Sequence, residues 1–220
     1  MSDFLIKDIL GRTEKHVRKQ LEGDGTGHDW WHIHRVRNTA LAIAKKEKVD
    51  LFVVELAALL HDIADHKFHD GDVEIGPRVA GEWLQSLKLQ KEIINHVKEI
   101  IEDLSFKGAH VTTPMKTLEG KVVQDADRLD AIGAIGIARA FAYGGHKNRV
   151  IYNPEKSPTM HDSFDDYKID KGPTINHFYE KLFLLKDRMN TTTGREIAEK
   201  RHQFMEEFIN RFYKEWDGEN

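Results

Sequence analysis

Apolar residues recur at intervals of three and four along nearly the whole chain, which is the period of an α-helix rather than the alternation of a strand. Positions 4, 5, 6, 9, 10, 17 and 21 form one apolar stripe and predict a helix from Phe4 to Leu21. Asp24-Gly25-Thr26-Gly27 interrupts it. A second helix is predicted from Trp30 to Lys46, with Ile33, Val36, Ala40, Ile43 and Ala44 facing inward and Asp29 placed to cap its first turn. Asp50 is placed to cap a third, from Leu51 to Ala64. His66 to Gly76 reads as a polar loop, and Pro77 suits a first helical turn. Further helices are predicted over 79–87, 90–103, 117–129 and 132–143, with 105–114 as loop and Gly144-Gly145 ending the last of them. Residues 145–172 carry prolines, serines and charges without a helical pattern, and a connection that long inside a domain is usually functional or disordered. Helices over 174–188 and 194–216 complete the chain.

This pattern predicts one all-α domain over residues 1–220, a bundle of about eight to ten helices without internal repeats or linkers. A length of 220 residues with 40% hydrophobic content is enough for a substantial core. Lys and Arg total 33 against 37 Asp and Glu, a net charge of -4, which argues against a broad basic face for duplex DNA. There is no cysteine, so disulfides, thiolate catalysis and Cys-ligated zinc are excluded. The N-terminus lacks the basic-then-apolar pattern of a signal peptide, and the longest apolar run is about half a membrane span. The expectation is a cytoplasmic protein with no membrane contact.

Several polar residues stand where the helical pattern calls for aliphatic ones. His61-Asp62 closes the run that begins at Leu51, and Asp127 sits beside core positions in Val122–Leu129. Six of the 13 histidines fall between His28 and His69. An unpartnered buried carboxylate is very costly, and a divalent cation is a partner that explains two histidines and two aspartates together. Neighbours on a helix point about 100° apart, so His61 and Asp62 reach one ion only at a helix edge or end. Spacing alone leaves His28, His32 and His34 competing for one ligand position, and Asp125 and Asp127 for another. Arg139 is a lone cation on the apolar stretch Ile132–Ala142. Gly-rich phosphate loops are missing; Gly133 and Gly136, three apart within a helix, suit close helix packing.

The motifs His32-Ile33-His34-Arg35-Val36, Ala58-Leu59-Leu60-His61-Asp62-Ile63 and Gln124-Asp125-Ala126-Asp127-Arg128-Leu129 resemble those of the HD-domain metal-dependent phosphohydrolases, over roughly residues 25–145. The longer stretch through Gly136 is similar to the stand-alone bacterial members akin to Bacillus nucleotide pyrophosphohydrolases. The resemblance implies metal ligands His32, His61, Asp62 and Asp127, because the family's first histidine stands three before Arg-Val and its last aspartate directly precedes Arg-Leu. It implies one divalent ion, with manganese the preferred expectation and magnesium, cobalt, nickel or iron as alternatives. Asp65 is expected to activate water, although it is Asp where some relatives carry the longer Glu. His28, Lys67, Arg128, Arg139 and Lys147 are expected at the substrate phosphates, and the 145–172 segment at the substrate wall or as a lid. Leu104 stands where the family often has histidine, which favours one metal over two. The implied reaction is hydrolysis of a nucleoside or deoxynucleoside triphosphate to monophosphate and pyrophosphate. Alternatives are a nucleoside monophosphate, cyclic nucleotide or alarmone phosphohydrolase, or a nucleotide-binding regulatory module with a vestigial metal site. A homodimer is compatible with this reading.

Overall fold

The segment Leu51–Leu60 is apolar on nearly every side, and a helix of that kind must be surrounded by others. It forms α3, in which all but Leu51 and Glu55 are buried. The computed structural model describes residues 1–22, 29–64, 74–104, 114–160 and 172–219, and among them every regular element is helical. These residues divide into two compact units, one running to residue 104 and including 114–126, the other beginning at 127.

In the first unit α1 (Asp3–Gln20), α2 (Trp30–Ala44) and α5 (Lys91–Asp103) pack on α3, and α4 (Ile75–Ser86) packs on α5. The caps lie where the sequence puts them. Asp29 accepts the N–H of His32 at 3.0 Å, and Asp50 accepts those of Phe52 and Val53 at 2.9 and 3.3 Å. The one charge on α3, Glu55, is met by Arg37 of α2, whose Nε donates to it at 2.8 Å while Nη1 donates to Glu14 of α1 at 2.9 Å. Leu118–Asp130 forms α6, whose residues Val122, Val123, Ala126 and Leu129 are buried. It continues without a break from the first unit's residues into those of the second.

In the second unit α7 (Gly133–His146), α8 (Asn176–Glu180), a 3₁₀ helix (Leu182–Arg188) and α9 (Thr192–Trp216) enclose Ile175, Phe178, Leu185 and Met205. Phe178 lies 5.9 Å from Phe208 and 6.1 Å from Phe141, ring to ring.

Four boundaries differ from the sequence pattern. The helix predicted to reach Ala64 stops at Leu60, and residues 61–64 form a turn. The His61 imidazole bonds the Ala58 carbonyl, the acceptor that a continuing helix would use. The predicted loop up to Gly76 gives way to α4 at Ile75, with Pro77 in the first turn; Gly76 admits the Ala64 carbonyl, which a Cβ would meet at 3.3 Å. Gly144-Gly145 does not end α7, which runs to His146. Gly144 instead makes room for Thr174, and Asn148, at φ 54°, supplies the left-handed turn beyond the helix. The predicted helix over 174–188 breaks at Lys181, where φ is -143°. Leu182 and Leu185 are three apart, a spacing that a 3₁₀ helix buries as readily as an α-helix.

The described part of the 145–172 segment is pinned within the second unit. Thr174 and Ile175 N–H groups donate to the Val150 and Ile151 carbonyls, both at 3.0 Å, and Asn176 donates to the Lys156 carbonyl at 3.0 Å. Glu180 accepts the Thr159 N–H at 3.0 Å.

Candidate metal centre

Three of the four expected ligands belong to the first unit, and they converge. His32 lies in the first turn of α2, oriented by the Asp29 cap, and is 1% exposed. His61 caps the C-terminus of α3 and is 8% exposed. Asp62 follows it in the turn and is half-buried. The Nε2 atoms of His32 and His61 are 3.1 Å apart, and Asp62 Oδ2 lies 3.4 Å from the first and 3.7 Å from the second. The end of α3 is what lets adjacent residues share one point, as the 100° geometry requires.

The donor chemistry fits a divalent cation. His61 Nδ1 lies 2.9 Å from the Ala58 carbonyl, which can only accept, so Nδ1 carries the proton and Nε2 presents a lone pair. A backbone carbonyl on the far nitrogen is also the usual way to orient a metal-binding histidine. Bonds of roughly 2.0–2.2 Å at near-right angles place neighbouring ligand atoms about 3 Å apart, close to the separations found here.

Asp127 is on the last turn of α6, half-buried, directly after the buried Ala126. Asp125, the rival from spacing, is fully buried. His34 is half-buried with Asn38 Nδ2 at 3.0 Å. His96 is half-buried with Nε2 2.9 Å from Thr117 Oγ1. His28, Asp65 and Lys67 lie outside the described residues.

The remaining expected cations belong to the second unit. Arg139 forms an ion pair with Asp130 at 2.7 Å. Buried Arg128 donates through Nη1 to the Arg188 carbonyl. Lys147 is exposed, 5.7 Å from the Tyr143 ring, with Arg149 at 5.8 Å from the same ring. Sequence reasoning passed over Asp130 and Arg201. Asp130 is 4% exposed, and Arg201 donates through Nη1 to the Leu129 carbonyl. Burial lowers the Arg201 pKa, and the Asp130 charge opposes that shift. Arg139, alone on an apolar stretch, was the one signal in the sequence for a buried acidic partner nearby.

An all-helical fold with a histidine on one helix and a His-Asp pair ending the next defines a class, and the comparisons identify it. Residues 30–132 match the HD domain family model. A Bacillus subtilis relative, the uncharacterised protein YpgQ, is 42% identical over 204 residues, covering 92% of this chain and 91% of its own. The chain belongs to the HD-domain family. Among solved structures, an HD-superfamily hydrolase from Bacillus thuringiensis is 43% identical, covers 96% of this chain and 98% of its own, and superposes with a TM-score of 0.77. The structure of Bacillus subtilis YpgQ in complex with ADP is 38% identical in superposition, covers 96% of each chain, and gives a TM-score of 0.77. No helix among the described residues is long and apolar enough to cross a membrane.

Proposed function

We propose that this chain is a metal-dependent hydrolase that cleaves a nucleoside or deoxynucleoside triphosphate to the monophosphate and pyrophosphate. The observation that carries the reading is the convergence of His32 Nε2, His61 Nε2 and Asp62 Oδ2 within 3.7 Å of one another. The ADP complex of YpgQ supports a nucleotide as the substrate class.

His32, His61, Asp62 and, by its place in the motif, Asp127 would hold one divalent ion, with manganese the first choice. When bound, such an ion acts as a Lewis acid on a phosphoryl oxygen and lowers the pKa of water. Asp65 takes the proton of the attacking water as general base. Water oxygen forms the new bond to the α-phosphorus, the bond from that phosphorus to the α–β bridging oxygen breaks, and pyrophosphate leaves with that oxygen. His28, Lys67 and Lys147 offset the negative charge that develops on the phosphate oxygens.

The test is a panel of nucleotides incubated with manganese, magnesium, cobalt or nickel, with products read by ³¹P NMR. Pyrophosphate from a triphosphate is the expected result. Inorganic phosphate from a monophosphate would replace this reading with phosphomonoester hydrolysis. Tight nucleotide binding without turnover under any metal would replace it with a regulatory module.

A further inference from the structure

The last turn of α6 is tied down residue by residue. Buried Arg128 donates to the Arg188 carbonyl at the end of the 3₁₀ helix. The Leu129 carbonyl accepts Arg201 Nη1 from α9. The Asp130 side chain accepts Arg139 Nη1 from α7 at 2.7 Å, and the same nitrogen lies 3.5 Å from the Asp130 carbonyl. Three elements thus hold three successive residues through three guanidinium groups. A helix C-terminus leaves carbonyls without intrahelical donors, and these need partners when buried. Ala131 and Ile132 N–H groups reach only the Arg128 and Leu129 carbonyls, at 3.2 Å each, before the chain turns into α7.

Arg201 reaches this turn because Gly133 has no side chain. Gly133 starts α7 at φ 76°, a conformation that favours glycine, and a Cβ there would meet the Arg201 stem at 3.0–3.2 Å. Burial lowers the Arg201 pKa while Asp130 opposes the shift, which places the guanidinium within the field of that carboxylate. One buried carboxylate therefore faces two arginines, Arg139 by contact and Arg201 by charge.

We propose that Arg201, with Arg139 and Arg128, is a positioning residue that fixes the turn carrying Asp127, so that its carboxylate is pre-set for the metal. The proposal rests on the assignment of Asp127 as a ligand. Ligand orientation by groups that do not touch the ion is commonly worth about 10- to 100-fold in metal affinity. The three arginines act on the backbone and on Asp130.

The test is manganese affinity of the full chain by isothermal titration, with circular dichroism as the check on folding. Arg201→Met keeps the aliphatic stem over Gly133 and removes the donors. We expect wild-type helical content and manganese binding weakened roughly 10- to 100-fold. Arg201→Lys keeps the charge without the planar fork, and its affinity should fall between those of Arg201→Met and wild type. A folded Arg201→Met that binds manganese within two-fold of wild type overturns the proposal. Should that variant not fold, Arg201→Lys takes its place: a threefold or larger loss supports the proposal, and a smaller one overturns it. Asp127→Ala is the reference. If it binds manganese as wild type does, the ligand assignment itself has failed, whereas loss there with retention in Arg201→Met rejects the positioning role alone.

Discussion

His61 works through both of its nitrogens, one holding the Ala58 carbonyl and the other facing His32 Nε2 at 3.1 Å. Alanine at 61 removes a proposed metal ligand, and alanine at 62 removes the neighbouring carboxylate, while neither lies within Leu51–Leu60 of α3. Either change should strip the metal and abolish hydrolysis with helical content nearly intact. Metal analysis of the purified variants checks this, and full activity with metal retained would refute the site. Asp65 is a different kind of residue, a proposed base and not a ligand. Asp65→Asn should lower kcat by roughly 10²- to 10⁴-fold at saturating metal, the usual contribution of a general base. Substrate affinity should hold or improve, since a negative charge near an anionic phosphate is removed. A kcat within a few-fold of wild type would pass the proton to another group, with His28 next in order.

At the scale of elements, the two glycines near the end of α7 have opposite reasons to be there. A Cβ at Gly144 would overlap the Thr174 hydroxyl, whereas Gly145 has open space around it. Overpacking costs about 1–3 kcal/mol, and alanine recovers at most about 1 kcal/mol of helix propensity. Gly144→Ala should therefore be destabilised by about 1–2 kcal/mol, a fall in Tm of roughly 2–8 °C in a chain of this size. Gly145→Ala should leave Tm unchanged or raise it slightly. Thermal unfolding of both variants separates the two; equal effects would mean that Thr174 yields without cost.

For the molecule as a whole, acid stability depends on a histidine outside the proposed site. His177, half-buried on α8, is pushed down to about 3 by burial and then by the charges of Lys181 and Arg149. The unfolded chain takes up that proton below about pH 6.5, and the folded one only near pH 3. Its contribution to stability is thus complete above pH 6.5, falls as the pH drops from there to about 3, and is level below that. His177→Gln should lose less Tm than wild type between pH 7 and pH 5. Parallel Tm profiles for the two proteins would show that His177 titrates alike in both states. Much of the architecture follows from local rules that the sequence carries in full. Helical periodicity, the Asp29 and Asp50 caps and the apolar α3 each depend on residues a few positions apart, whereas the end of α3 at Leu60, which leaves His61-Asp62 in a turn, was not read from the sequence. The meeting of His32 with His61, 29 residues on, was legible only through the family motif. Packing alone decided the passage of α7 through Gly144 and the arginine ties on the last turn of α6. Each turns on a partner distant in sequence, such as Thr174 for Gly144 or Arg201 for Leu129, and no local pattern encodes which distant residue will arrive.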